Sequence, residues 1–225
     1  VFGIPLRLTG YGIIYNEPLL DSLEIDHGQI GTGQGLINVV DQVNAKLDTV
    51  DLKTAVCARA DLADILVSHS LNTSAPNQLT VSRHLEPFLQ TVADSAAASD
   101  PVSLLANREA AIAVGSSDLV SQVAAINPSV AASLRLAPVA IGGQNLVVGC
   151  SYLAVYNQAD KAQREALEVF LEWLYYSDRG KAILQEQGVL SPYTNTAASQ
   201  LQSSVYSSLH NGNYQVSTLS YAPNG

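Results

Sequence analysis

Reactive side chains crowd most closely in Gly149-Cys150-Ser151-Tyr152-Leu153. A serine framed this way approaches the sharp strand-to-helix turn that presents the nucleophile of serine hydrolases. That turn is cramped and needs a small residue two positions after the serine. Leu153 stands there, and Val155-Tyr156 continues as strand, so an α/β hydrolase-like enzyme using Ser151 is kept only as an alternative. Cys150 as a nucleophile needs a histidine partner and an electropositive setting. The sequence supplies neither, and a buried thiol is the simpler reading. The histidines, His27, His69, His84 and His210, are isolated, without the paired spacing that holds a metal. Carboxylates at helical spacing, Asp61/Asp64 and Glu165/Glu168, read as solvated faces. Arg83 and Arg108 could reach an anion, but such residues more often make surface ion pairs. The glycines of the DHGQIGTGQG stretch, Gly28, Gly31, Gly33 and Gly35, invite a phosphate-loop reading. No Lys-Ser/Thr follows, no consistent strand precedes, and the spacing is wrong for a dinucleotide fingerprint. No cofactor is implied, and no metal.

Composition narrows the class further. The 225 residues are 47% apolar and 14% charged, enough to bury a real core in one large or two small domains. The net charge of −9, with no cluster of lysine and arginine, argues against nucleic acid and against anionic membrane surfaces as partners. The longest apolar run, around residues 137–156, is broken by Pro138, Gly142, Gly143 and Gly149, and is no membrane span. Cys57 and Cys150 are too few for a disulfide framework, and two buried thiols are favoured over one bridge. The chain contains no methionine, and VFGIPL already reads as a strand inside a domain. Both lead to the expectation that a segment precedes Val1.

The elements that must position these groups follow an α/β order. Residues 1–16 read as two short strands around Thr9-Gly10, with Ile13 and Ile14 buried. Residues 36–50 form an amphipathic helix, with Ile37, Val40, Val43 and Leu47 on one face, and 53–58 a short buried strand. Helices are expected over 61–71 and over 79–98, the second kinked near Pro87. A strand then runs into the Gly115-Ser116-Ser117 turn and a helix to Ile126. Another short helical turn follows Asn127-Pro128, then a strand over 135–139 and a central strand pair over 146–156. Residues 161–193 read as two helices and a turn. Asp160 and Gln163 make a capping box, Ser177 or Asp178 restarts the helix, and Gly188 suits a left-handed cap. Leu167, Phe170, Leu171 and Leu174 define one apolar face of the first of these, and Trp173, on or beside that face, is expected in the core. A last helix spans 195–209, capped by Thr194 or Asn195.

The order of motifs across these elements resembles the extracellular solute-binding proteins of sugar-importing ABC transporters, family 1. That family ends a helix in a "FLxFL" pattern, then "S-x-x-G-Q/K", then a "G-x-x-P" turn. Here stand Phe170-Leu171-Glu172-Trp173-Leu174, Ser177-Asp178-Arg179-Gly180-Lys181 and Gly188-Val189-Leu190-Ser191-Pro192. The family's "GxPxxxxxxxxYYN" hinge segment is matched by Gly3-Ile4-Pro5, Tyr11 and Tyr15-Asn16. Its "FxxGKAAM" helix end and "GSW" turn are matched by residues 105–112 and by Gly115-Ser116-Ser117, with Ser117 in place of the usual tryptophan. Its "GGxxxAI" strand is matched by residues 149–155. Residues 21–35 depart from the family pattern.

The resemblance implies a type II periplasmic-binding-protein-like α/β fold of two lobes joined by a hinge, without its first N-terminal strands and helices. Residues 1–20 would be hinge and inter-lobe strands, 21–155 mainly the C-terminal ligand-binding lobe, and 156–225 the C-terminal helices returning across the hinge. It implies a non-enzymatic receptor, monomeric, outside the cell membrane as a periplasmic protein or anchored lipoprotein, with ABC transporter permease subunits as partners. The ligand implied is a sugar or other small polar solute. With 6% aromatic residues and one tryptophan, a small sugar fits better than a long maltodextrin. Tyr11, Tyr15, Tyr152 and Tyr193 fall where the family lines its cleft, and tyrosine offers both a ring for sugar C–H faces and a hydroxyl. Ser116, Ser117, Gly149 and Ser151 complete the expected ligand-binding set. For Ser116 and Ser117 the plain alternative is a capped helix, and for the tyrosines it is packing at the hinge. A second alternative function is a binding-protein lobe reused as a protein-interaction module.

Overall fold

A computed structural model describes residues 3–58, 90, 100–139, 146–154, 158–194, 197 and 199–216. Its organising element is β1, Gly3–Asn16, one continuous 14-residue strand rather than two around Thr9-Gly10. Continuity follows from its neighbours, since the two halves of β1 are paired by different strands. The first half runs antiparallel to β5, Leu146–Ala154, from Gly3 opposite Ala154 to Tyr11 opposite Val147. The second half pairs on one edge with β3, Ala110–Ser116, and on the other with β4, Leu134–Ala137. Outside these lie β2, Thr54–Ala58, parallel to β3, and β6, Tyr214–Val216, parallel to β5. The stretch expected as a central strand pair is β5 alone among the described residues.

Strand alternation sends successive side chains to opposite faces, and two cores result. Ile13 joins Val56, Ile112 and Val114 beneath α1, Glu17–Ser22, and α2, Gly33–Asn44. Ile14 joins Cys57 and Ala113 beneath α4, Pro101–Ala106, α5, Asp118–Ile126, and α6, Pro128–Ser133. The adjacent isoleucines are both fully buried, one in each core. The result is a three-layer α/β/α body. The helix expected over 36–50 begins earlier, where the Thr32 side chain caps the Gly35 amide, and ends at Asn44; α3, Leu47–Val50, is a separate turn. The helices expected over 61–71 and 79–98 lie outside the described residues, apart from helical Gln90.

The C-terminal third behaves in two ways. α7, Lys161–Tyr176, carries the expected capping box, and Ser177 caps α8, Asp178–Glu186. Gly188 then takes the left-handed conformation, φ 62°, that ends a helix cheaply only with glycine. Of the apolar face of α7, Leu167, Leu171 and Leu174 are half-buried, but Phe170 is exposed and Trp173 is not in the core. Phe170 is 51% exposed and Trp173 40%, and Tyr175 is the one buried residue of the helix. The Tyr175 hydroxyl donates to the Leu6 carbonyl at 2.6 Å, beside the register shift between Pro5 and Arg7. α9, Gln200–His210, starts later than expected, capped by Ser199, and does return to the body: Leu201 and Val205 are buried against it. Cys57 and Cys150 are both free. Cys57 is buried as expected, whereas Cys150 is only half-buried.

Candidate ligand-binding surface

α1 and α2 cover one face of the sheet only over the second half of β1. Among the described residues no helix covers the same face over the first half, where Arg7 is exposed, Tyr11 half-buried and Thr9 buried. Its floor is set by register: Arg7 opposite Ser151, Thr9 opposite Gly149, and Tyr11 opposite both Val147 and Ser116. The carboxyl ends of β2 and β3 point toward this floor, the side of an α/β sheet where ligands collect. The outer edge of the Tyr11 ring lies against Gly149. A Cβ at Gly149 would meet the ring edge at 2.9 Å and the hydroxyl at 3.0 Å. The glycine therefore sets how deep the ring sits, the close approach that a glycine within a strand permits. Four of the expected residues, Tyr11, Ser116, Gly149 and Ser151, share this surface.

The other four do not. Ser117 is 1% exposed, and its hydroxyl accepts from the Gly10 amide at 3.1 Å while its own amide donates to the Gly10 carbonyl at 2.7 Å. It clips the start of α5 to β1. Tyr15 shares the face of Tyr11 but lies further along, under the first core, with its ring 5.2 Å from that of His27. Burial, and then the nearby Glu17 carboxylate, raise its phenol pKa. His27 is held by Asp21 at 3.0 Å. Tyr152 and Tyr193 belong to the opposite face. Tyr152 contacts the Cys150 thiol, which raises the phenol pKa. Tyr193 packs edge-on against Tyr175, with 4.9 Å between rings. Tyr193 also borders a groove of about 620 Å³ between the 191–194 turn and α9, with Leu8, Tyr206, Leu209 and His210 among its walls.

The floor also holds two residues that the motifs did not flag for binding, Arg7 and Asp118. Arg7 Nη2 lies 3.1 Å from Asp118 Oδ2, in the first turn of α5. Burial pushes the Asp118 carboxyl pKa up, and the Arg7 guanidinium opposes it. A signal existed in the sequence: Arg7 is the one charged residue in the 14 of β1.

Nucleophile chemistry finds no support in the geometry. Ser151 lies within β5, which runs on to Ala154, and not at a strand-to-helix turn. Burial raises the Cys57 thiol to about 12 and also raises that of Cys150, the reverse of an activated nucleophile. Among the described residues no three His, Cys, Asp or Glu side chains converge as a metal site. No helix among them is long and apolar enough to cross a membrane.

This long strand shared between two differently paired halves belongs to the type II periplasmic-binding-protein fold, of which the chain makes a portion. No protein-family model matches the chain, and no curated protein matches its sequence. Solved structures do match. The binding protein MsmE of Bacillus subtilis, in an open conformation, superposes with a TM-score of 0.65 at 16% identity, over 96% of this chain and 60% of its own. An ABC substrate-binding protein of Listeria monocytogenes, solved with cycloalternan, gives 0.63 at 13% identity, over 97% and 61%. A sugar transporter protein of Bacillus licheniformis, solved with stachyose, gives 0.59 at 16% identity, over 96% and 62%. The chain thus spans about 60% of the length of these proteins, and at such identities it shares their fold.

Proposed function

We infer that the protein is the substrate-binding component of an ABC importer outside the cell membrane, holding a sugar or similar small polar solute between two lobes and delivering it to permease subunits. The observation that carries this reading is the coverage: nearly all of this chain against about 60% of sugar-binding neighbours. A second observation supports it. Val169, Phe170, Trp173, Tyr176 and Ile183 of α7 and α8 are 38–66% exposed on one helical hairpin, an apolar surface suited to a second lobe. In this division residues 1–20 cross the hinge, 21–155 build the ligand-binding lobe, α7 and α8 stand with the partner lobe, and α9 returns. Tyr11, Ser116, Gly149 and Ser151 line the cleft floor, while Tyr152 and Tyr193 flank the hinge. Closure about the hinge would sequester the solute.

The test is a thermal-shift screen of the full-length protein against neutral mono- and oligosaccharides, with its intact mass measured alongside. A receptor is heavier than the 23.8 kDa of these residues. A sugar at a hundredfold excess over its Kd stabilises it by about 2.7 kcal/mol, a rise of several degrees in Tm. A full-length protein that no sugar stabilises at millimolar concentration sinks the reading. A protein partner captured in its place would favour the reused-lobe alternative.

A further inference from the structure

We propose that Arg7 and Asp118 form the specificity-determining pair of the cleft floor, one that reads adjacent hydroxyls of an uncharged sugar and rejects sugar acids. The proposal rests on the receptor reading above and deepens it.

The starting point is an unsatisfied ion pair. Arg7 and Asp118 meet through one nitrogen and one oxygen, Nη2 and Oδ2, at 3.1 Å. A guanidinium offers five N–H donors in a fixed fork, and a carboxylate accepts at two oxygens. Among the described residues neither side chain makes another hydrogen bond. Both reach solvent, with 44% and 25% of their side-chain surface exposed. Arg135 shows the contrast. It pairs with Glu17 at 2.8 Å through Nε, and its Nη1 also donates to the Ala132 and Leu134 carbonyls, both at 3.1 Å. That guanidinium is consumed by the fold, whereas that of Arg7 is held at one corner and open on the rest.

An open donor beside an open acceptor matches a vicinal diol, in which one hydroxyl accepts from the fork and its neighbour donates to the carboxylate. The placement fits as well. Arg7 and Tyr11 are four strand residues apart, about 13 Å, but the Tyr11 ring reaches back against Gly149, opposite Thr9 and two residues from Arg7, so it can stack a sugar face while the pair reads hydroxyls beside it. The same pairing sets the charge preference. Asp118 neutralises Arg7, so the floor offers no net positive charge to an anion. A carboxylate brought to the fork would face Asp118 as a like charge. The net charge of −9 on these residues acts in the same direction.

The experiment measures affinities of the full-length protein for matched pairs, glucose with glucuronate and galactose with galacturonate, with maltose and raffinose added, by calorimetry. Wild type should prefer the neutral member by a hundredfold or more. Asp118→Asn should weaken neutral binding at least tenfold and narrow the preference against the acid at least tenfold, because it frees the fork for a carboxylate. Arg7→Lys keeps the charge and the ion pair but loses the fork, so neutral affinity should fall while Tm stays close to wild type. This second variant keeps the proposal testable if Asp118→Asn fails to fold. The ratio of neutral to acidic affinity is a quantity that a merely structural ion pair would leave alone. An unchanged ratio and unchanged neutral affinity in a folded variant overturn the pair's role and leave the receptor reading standing. A wild-type protein that binds the acid as tightly as the neutral sugar also overturns it. Wild type that binds no sugar of either kind overturns both.

Discussion

Gly149→Ala separates the fold from the site, because the three atoms nearest the added methyl all belong to Tyr11. The built Cβ lies 2.9 Å from Tyr11 Cε2, 3.0 Å from its hydroxyl oxygen and 3.4 Å from Cζ. Carbon atoms rest at about 3.5–4.0 Å, so the ring edge must lift by roughly 0.6–1.1 Å. The obstacle is the far end of a phenol, and Gly149 lies in ordinary extended backbone, so the ring can swing aside. Overpacking costs about 1 kcal/mol at the low end of its range. Replacing a strand glycine returns about 0.5–1 kcal/mol of backbone entropy. Stability should therefore change by less than about 1 kcal/mol, or about 2–4 °C in Tm for a chain of this size. Binding has no such compensation. A lifted ring loses its stacking, about 0.5–1.5 kcal/mol, and part of a hydroxyl hydrogen bond of similar size. We expect a sugar Kd weakened about 5- to 30-fold, read by calorimetry on the full-length protein. The double variant with Tyr11→Ala supplies the control. If the methyl acts through the ring, Gly149→Ala is silent in that background, and the coupling equals its whole effect. Equal losses in both backgrounds, or no loss in either, would refute the assignment of Tyr11 to the floor.

Two further outcomes follow from burial. Ser117→Ala leaves the Gly10 amide without its 3.1 Å acceptor in a site that is 1% exposed, so it should cost about 1–3 kcal/mol, lowering the urea midpoint while sugar affinity changes less than twofold; a large loss of affinity with unchanged stability would return Ser117 to the ligand. Cys57, raised from 9.0 to about 12 by burial, should be thiolate at only about one part in 10⁴ at pH 8, so Ellman's reagent should label one thiol in the native protein and the second only in urea. Because the folded state keeps this proton while the unfolded state loses it, stability from this group is fully present below pH 9 and falls between about pH 9 and 12, by up to about 1.4 kcal/mol per pH unit. Denaturation curves flat across that range would contradict it.

What the sequence could disclose depended on how local the cause was. Caps are local: Asp160 with Gln163, Ser177 and Gly188 act within one turn, and all three hold. Strand continuity is not local. Thr9-Gly10 looks like a break because glycine favours turns, yet β5 pairs straight through it, Thr9 to Gly149 and Gly10 to Val148. The floor was half legible for the same reason. Motif positions found Tyr11, Ser116, Gly149 and Ser151 one by one, but that they share a face depends on the register of β1 against β3 and β5, which no spacing reveals. Tyr152 lies on the far side from Ser151 because the two are consecutive in β5, and strand alternation sends neighbours to opposite faces. Arg7 and Asp118 are 111 positions apart and meet only because β3 delivers α5 to the edge of β1.

α7 shows a different limit. Its apolar face is half-buried at Leu167, Leu171 and Leu174, while Trp173, expected in the core, is exposed. Periodicity reports which side of a helix avoids water and carries no information about what covers it. In these residues Tyr175 alone is buried, tied to Leu6, while Val169, Phe170 and Trp173 face outward at 66%, 51% and 40% exposure. Three large apolar side chains at i, i+1 and i+4 on a well-capped helix are costly to leave in water, at about 1.5–3 kcal/mol each for full burial. The Tyr175–Leu6 contact, beside Tyr193, ties α7 to the first half of β1. Under the two-lobe reading proposed above, a second lobe seated against α7 would bury Val169, Phe170 and Trp173.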